Sequence, residues 1–198
     1  AFGFVGAAVA VEADAHQSFF NQAAVPFPPP TLDLWAFKEE KVLEIYAPDT
    51  AGRSRLVKTY PILAASGVLG PKLREGDHQV PEGFYGIELL NPNSRFHVSL
   101  RVNYPNAEDI QRAQDEGRDL ANLGSDIMIH GGAASIGCLA IGDPAAEELF
   151  LLAAKAGCDN IRLFIAPRDF RKNSSREIPP TAPAWTPELH QRLQQALT

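Results

Sequence analysis

The chain has 198 residues, of which 45% are hydrophobic and 21% charged; these are the proportions of a globular protein, not a disordered one. Its 18 Lys plus Arg against 24 Asp plus Glu leave a formal charge of −6, which speaks against a general nucleic-acid binder, since phosphate needs a basic face. No apolar run reaches the ~20 residues of a membrane-spanning helix, and two cysteines without a CxxC pair give neither a disulfide framework nor a finger-type zinc site.

At the N-terminus, the apolar stretch Phe2–Val11 precedes Ala13-Asp14-Ala15, an A-x-A step. It reads either as the remnant of a secretory signal or as a short native helix, and both readings are compatible with export. Pro26–Pro30 reads as an extended, polyproline-like linker. Leu32, Leu34 and Phe37, then Leu43 and Ile45, flank the charged Lys38-Glu39-Glu40-Lys41, which predicts a hairpin with a charged turn. Arg55–Tyr60 is a third short strand, and the Gly-, Pro- and charge-rich stretch Pro61–Pro81 is a long loop of the functional kind. Phe84–Leu90 reads as a strand that ends at the turn signal Asn91-Pro92-Asn93-Ser94. Phe96, Val98, Leu100 and Val102 alternate with His97, Ser99, Arg101 and Asn103, the clearest period of two in the chain.

Asn106 then caps a polar helix with Glu108 and Asp109 in its first turn. Asp126–Ile129 is a short apolar strand. Asp143-Pro144 predicts a helix with Asp143 as N-cap, ending near Gly157. Asn160–Ala166 is a last strand, and Thr186-Pro187-Glu188 opens a terminal helix to about Leu197. Many strands with few, irregularly spaced helices predict a mainly β or α+β body, not a doubly wound parallel sheet.

The stretch from Ile127 to Cys138 carries the chemistry. A buried strand delivers His130, Gly131 and Gly132 open a small-residue loop, and Ser135-Ile136-Gly137 precede Cys138. Cysteine attacks as thiolate, and an adjacent imidazole can take its proton. Amides exposed beside the thiol would hold an oxyanion, worth about 3 kcal/mol per donor. These are the parts of a Cys–His acyl-transfer site. The structural alternatives stay open on residue chemistry alone: free cysteines are often buried core, a histidine after an apolar strand is often a satisfied core residue, and Ser135 fits a turn.

The segments Ile129-His130-Gly131 and Ser135-Ile136-Gly137-Cys138 resemble the L,D-transpeptidase (YkuD-type) catalytic domain. Its short spacer, and Ile136 where many members carry histidine, resemble the murein-lipoprotein hydrolase-like branch. So do Phe37-Lys38-Glu39-Glu40, Lys58-Thr59-Tyr60-Pro61-Ile62, the run Ala65–Asp77, Pro81-Glu82-Gly83-Phe84-Tyr85, Leu90–Ser94, Tyr104-Pro105-Asn106 and Asp109. The likeness covers about residues 31–170, and Gln111–Leu123 looks like an insertion. It implies a catalytic domain over 31–170 between an N-terminal segment and Pro-rich linker (1–30) and a C-terminal extension with a terminal helix (171–198). It also implies a mostly β, sandwich-like fold with a few peripheral helices.

By the same resemblance, Cys138 would be the nucleophile and His130 the general base, then the acid. The Gly131 carbonyl would orient the imidazole, backbone N–H groups of Ile136, Gly137 and Cys138 would form the oxyanion hole, and Ser135 would support the loop. No metal or organic cofactor is implied. The implied partner is the peptidoglycan peptide stem, attacked at the L-centre carbonyl of diaminopimelate, with an amine or water as acceptor. In the branch resembled, water would release a peptidoglycan-anchored lipoprotein, and the location implied is the periplasm or cell envelope.

Lys72, Arg74, His97, Arg101 and Tyr104 are candidates for holding the stem, although solvated charge is the ordinary fate of exposed Lys and Arg. Arg95 is a further candidate, and Asn106 and Asp109 would shape a wall. Cys158, at a helix end, reads as structural. Two other function classes remain: a non-catalytic peptidoglycan-binding envelope module, and a zinc hydrolase using His97, His130 and Cys138.

Overall fold

The computed structural model describes residues 17–173 and 177–197; Phe2–Val11 and Ala13-Asp14-Ala15 lie outside them. The charged segment after Phe37 does reverse the chain. β1 (Leu32–Phe37) and β2 (Val42–Pro48) pair antiparallel with Ala36 opposite Leu43, and Lys41 takes a φ of 54° in the turn. β3 (Ser54–Pro61) adds to β2, and most of the following loop is irregular apart from β4 (Ala64–Ala65).

β5 (Gly83–Ser94) runs through the predicted Asn-Pro-Asn-Ser turn instead of ending there. Its pairing with β6 (His97–Val102) shifts register between Ile87 and Leu89 and again between Asn91 and Ser94. Pro92, which has no N–H for a ladder, falls in the second irregularity, and the reversal moves on to Arg95-Phe96. β7 (Met128–His130), β8 (Leu139–Ala140) and β9 (Ile161–Ala166) complete a nine-stranded mixed sheet of order β3-β2-β1-β9-β5-β6-β7-β8-β4. β5 is shared between its two halves: Gly83–Gly86 pair with β9, and Ile87 onward pairs with β6. The β1–β9 and β7–β8 pairs are parallel.

Four helices are present among the described residues: α1 (17–22), α2 (Ala107–Asp115), α3 (Asp143–Ala156) and α4 (Thr186–Leu197). Asn106 caps α2 as expected, in a full capping box with Asp109. At α3 the cap is Gly142, with φ 83°, and Asp143 lies one position further in. The Asp143 carboxylate instead accepts the Gly132 N–H at 2.7 Å. A side chain committed to a tertiary contact cannot also close its own helix, which is why local cap rules misplace this start by one residue.

Alternation sets the two faces of the sheet. Leu32, Leu34, Leu163 and Ile165 join Leu149 and Leu152 of α3 in the main core. Trp35, Phe37, Phe164 and Phe170 pack on the opposite face beneath Leu189 and Leu193 of α4. The flanking segments lie against this body. Phe20 and Val25 are in the main core, and Arg192 of α4 reaches Glu108 of α2 at 2.6 Å.

Asp109 links the α2 cap to stability. Burial pushes its carboxyl up to about 6, against the pull of the Asn106 N–H and the Tyr85 hydroxyl. Its folded value therefore lies above the unfolded one, so the folded state holds a proton the unfolded state has lost. Stability should fall as pH rises from about 4 to about 6 and stay reduced above that. Asp109→Asn, which can still accept from the cap, is expected to remove this slope and to gain about 2 kcal/mol at pH 7. Urea midpoints at pH 4 and pH 7 test this; a variant weaker than the parent at pH 7 would contradict it.

Candidate active site

β7 lies between β6 and β8, and the register decides what meets on its surface. Ser99 faces His130 and Arg101 faces Met128 across β6–β7, while Ile129 faces Leu139 and His130 faces Ala140 across β7–β8. Side chains alternate with period two. Met128, His130 and Ala140 therefore share one face, and Cys138, two residues before Ala140, continues it. A backbone hydrogen bond from Met128 reaches the Cys138 sulfur. His130 and Cys138 are thus diagonal neighbours across a parallel pair, with one strand spacing and two residues of rise leaving about 8 Å between positions, within reach of an imidazole. Both line a cleft of about 530 Å³ that also receives Lys72, Phe96, Ser99 and Asp126.

His130 is 3% exposed. Its Nδ1 lies 2.5 Å from the Gly131 carbonyl oxygen. That oxygen only accepts, so Nδ1 carries the hydrogen and Nε2 is left with a free lone pair. Phe96 stacks on the ring with centroids 4.6 Å apart. Gly131 lies so close to the Phe96 carbonyl and the Asp143 carboxylate that an added Cβ would collide with both. Gly131→Ala is expected to cost about 2 kcal/mol or more, through forced displacement of the histidine turn. A fall in melting temperature, with altered alkylation kinetics at Cys138, would register that displacement; an unchanged melt would refute it.

Cys138 is half-buried. Its Sγ donates to the Asp126 carbonyl at 3.5 Å. Burial pushes the thiol up, the Met128 backbone bond pulls it down, the Asp126 charge raises it and the Lys72 charge lowers it, with a net rise. At rest the group is a neutral thiol that needs a base.

Ser135 is the knot of the loop. Its hydroxyl donates to the Cys138 carbonyl at 2.6 Å and accepts the N–H groups of Gly137 at 3.3 Å, Cys138 at 3.1 Å and Ser66 at 3.2 Å. Gly137 sits at φ 124°, a region that favours glycine. Two of the three expected oxyanion donors are thus engaged by Ser135, whereas the Ile136 N–H makes no hydrogen bond among the described residues. The Ile136 side chain is exposed at the cleft edge.

The expected stem-holding residues scatter. Lys72 lies in the cleft, buried, with Nζ donating to Asp77 at 2.6 Å and to the Arg74 carbonyl at 2.9 Å. Arg101 adjoins it, paired with Glu88 and Asp126. Arg74 is exposed outside the cleft lining, and His97 points to Glu147 of α3 at 3.0 Å. Tyr104 is buried in the core, its hydroxyl donating to the Leu123 carbonyl. Asn106 and Asp109 form the α2 cap. Among the described residues no group of three or more His, Cys, Asp or Glu is disposed to hold a metal ion, and His97 does not join His130 and Cys138 in the cleft lining. Sequence reasoning missed Phe96, Ser99 and Asp126 as cleft residues. Ser99 was discoverable from its place on the polar row of β6, but Asp126 looked like an ordinary strand start.

The catalytic-domain model of the L,D-transpeptidase (YkuD) family matches residues 34–158, and the chain belongs to that family. YafK of Escherichia coli K12, provisionally named an L,D-transpeptidase, is 37% identical over 116 residues, covering 58% of this chain and 44% of the relative; YafK of strain O157:H7 gives the same figures. The chain therefore matches less than half the length of these curated relatives. Among solved structures, the helical cell shape determining protein Pgp2 of Campylobacter jejuni shares the fold at 19% identity. Its TM-score is 0.55 over 78% of this chain and 56% of that one. The K307A form of Pgp2 gives 0.56 over 93% and 60%.

Proposed function

We propose that the protein is a thiol acyl-transfer enzyme of the cell envelope acting on peptidoglycan peptide stems. The observation that carries this reading is the placement of His130 and Cys138 on one face of adjacent strands, open to one cleft, with Nδ1 committed to Gly131. The Cys138 proton passes to His130 Nε2, and the sulfur attacks the L-centre carbonyl of diaminopimelate. The resulting oxyanion draws on the Ile136 N–H and, by displacing Ser135, on those of Gly137 and Cys138. His130 returns the proton to the leaving amine, and a thioester remains on Cys138. Water or a second amine then attacks the thioester, aided by His130 as base.

Water as acceptor is the reading preferred here. It makes the protein a hydrolase that frees a lipoprotein from peptidoglycan, as expected for the branch its motifs resemble. The body doing this work comprises residues 31–170, braced by the segments before and after it. Incubation with muropeptides followed by mass spectrometry is the test. A released lysine-ended peptide supports the hydrolase, and lost terminal D-alanine with new dimers supports a transpeptidase in its place. Absence of every product, with no acyl adduct on Cys138, rejects the enzyme and leaves the binding module.

A further inference from the structure

The peptide group that orients the imidazole is engaged at both ends. His130 Nδ1 donates to the Gly131 carbonyl, and the N–H of that same peptide, carried by Gly132, donates to the Asp143 carboxylate at 2.7 Å. Imidazole, peptide and carboxylate thus form one head-to-tail chain of hydrogen bonds. Negative charge at the N–H end of a peptide makes its carbonyl oxygen a stronger acceptor, and bonds in series strengthen one another by about 10–30% each.

The carboxylate is not what holds this turn in place. Backbone bonds from the Ile141 N–H to the His130 carbonyl at 2.9 Å, and from the Gly142 N–H to the Gly132 carbonyl at 3.1 Å, already tie it to the start of α3. The Gly131 N–H donates to the Phe96 carbonyl at 3.1 Å. Nor does Asp143 serve its own helix, whose N-cap is Gly142 with no side-chain cap bond. Glu147, one turn further on, pairs with His97. Among the described residues no cation pairs with Asp143, and the positive end of α3 favours its ionised form. The carboxylate reaches the peptide only because residue 131 is glycine, since a Cβ there would meet Oδ1.

We propose that Asp143 is a positioning residue for the Cys138–His130 pair, acting on the imidazole through the peptide between Gly131 and Gly132. It keeps the hydrogen on Nδ1 and makes Nε2 the better acceptor for the Cys138 proton, as a carboxylate does when it bonds a histidine from behind. This rests on the proposed acyl transfer and deepens it: the carboxylate of a catalytic triad is replaced by one standing a peptide further away. A carboxylate bonded directly to the imidazole is worth about ten thousand-fold in turnover. Asp143 is exposed to solvent and one peptide removed, so screening reduces its expected effect to about ten-fold.

The test separates charge from geometry. Asp143→Asn keeps an acceptor for the Gly132 N–H and removes the charge, whereas Asp143→Ala removes both. In the whole chain labelled at histidine nitrogen, the His130 Nδ1–H proton resonance is expected to move upfield in both variants. Iodoacetamide modification of Cys138 at neutral pH, resolved from Cys158 by peptide mass spectrometry, should slow about ten-fold in Asp143→Asn, and muropeptide turnover should lose about ten-fold in kcat with KM unchanged. Melting curves confirm that both variants are folded. A purely structural carboxylate would instead lower the melting temperature of Asp143→Ala while Asp143→Asn kept the parent's resonance and alkylation rate, and that result would overturn the proposal. A shifted resonance with an alkylation rate equal to the parent's would overturn it as well. If the parent does not turn over muropeptides but resonance and alkylation rate both follow Asp143, the acyl-transfer reading fails and the role of Asp143 stands. If Asp143→Asn turns them over with the parent's kcat, that role fails and the enzyme stands.

Discussion

Cys138→Ala is expected to lower turnover of muropeptides by about ten thousand-fold or more while leaving the melting temperature near that of the parent. On the proposed mechanism the magnitude is that of removing a nucleophile from catalytic groups that act as a unit. The small structural cost follows from placement: the sulfur is half-buried and faces a cleft, and its one donated bond, to the Asp126 carbonyl, is long at 3.5 Å. His130→Gln should be about as damaging, because the thiol is pushed up by burial and is not a thiolate without a base. The two losses should not add: Cys138→Ala with His130→Gln should be no worse than either alone. A His130→Gln protein retaining a tenth of parent activity would show that the imidazole is not the base. Alkylation gives a second readout. The raised thiol pKa predicts slow modification of Cys138 by iodoacetamide at neutral pH in His130→Gln, climbing at alkaline pH.

Lys38→Met is expected to destabilise the protein by about 3–5 kcal/mol, the range for breaking one side of a buried ion pair. Lys38 Nζ donates to the carbonyls of Gly70 and Val80, each at 2.9 Å, and lies 3.0 Å from Glu82 Oε1. Glu82 also accepts the Gly70 N–H at 2.6 Å and pairs through Oε2 with His190 of α4 at 2.7 Å. Both side chains are essentially sealed, at 5% and 0% exposed. Removing the ammonium strands a carboxylate and frees both ends of the 70–80 loop that carries Lys72 into the cleft. Burial pushes the Glu82 carboxyl up, yet Lys38, His190 and the Gly70 N–H together hold it below its usual value. A depressed carboxyl contributes stability above its unfolded pKa and loses it as pH falls through the folded one. The cost of Lys38→Met should therefore shrink on acidification below about pH 4. Urea unfolding at pH 7 and pH 3 measures both, and Lys38→Met with Glu82→Leu should recover part of the loss. A single-variant cost below 1 kcal/mol at pH 7 would dismiss the hub.

This hub also shows where reading the chain runs out. Lys38-Glu39-Glu40-Lys41 has the look of a solvated turn, and Glu39 and Lys41 are exposed, yet Glu40 accepts the Asp169 N–H and Lys38 is buried. Its partners lie 44 residues ahead in Glu82 and, beyond that, a further 108 in His190. No local pattern encodes such a meeting. Tyr104 and His97 illustrate the reverse error. Each sat beside motif residues in the sequence, but Tyr104, just past the end of β6, packs into the core, and His97 pairs with the α3 carboxylate Glu147 outside the cleft.

What the amino-acid sequence determined alone rested on a short period or a local hydrogen bond. The alternation of β6, the Asn106 cap, the Gly157 helix stop and the ordered Ile-His-Gly and Ser-x-Gly-Cys segments are interactions among near neighbours in the chain. The tertiary structure alone decided the mixed order of the sheet, with β9 inserted between β1 and β5, and the cleft in which Ser99 and Asp126 join His130 and Cys138. Those outcomes depend on register between strands distant in sequence. A shift of one residue there would turn each side chain to the other face, whatever its own propensity.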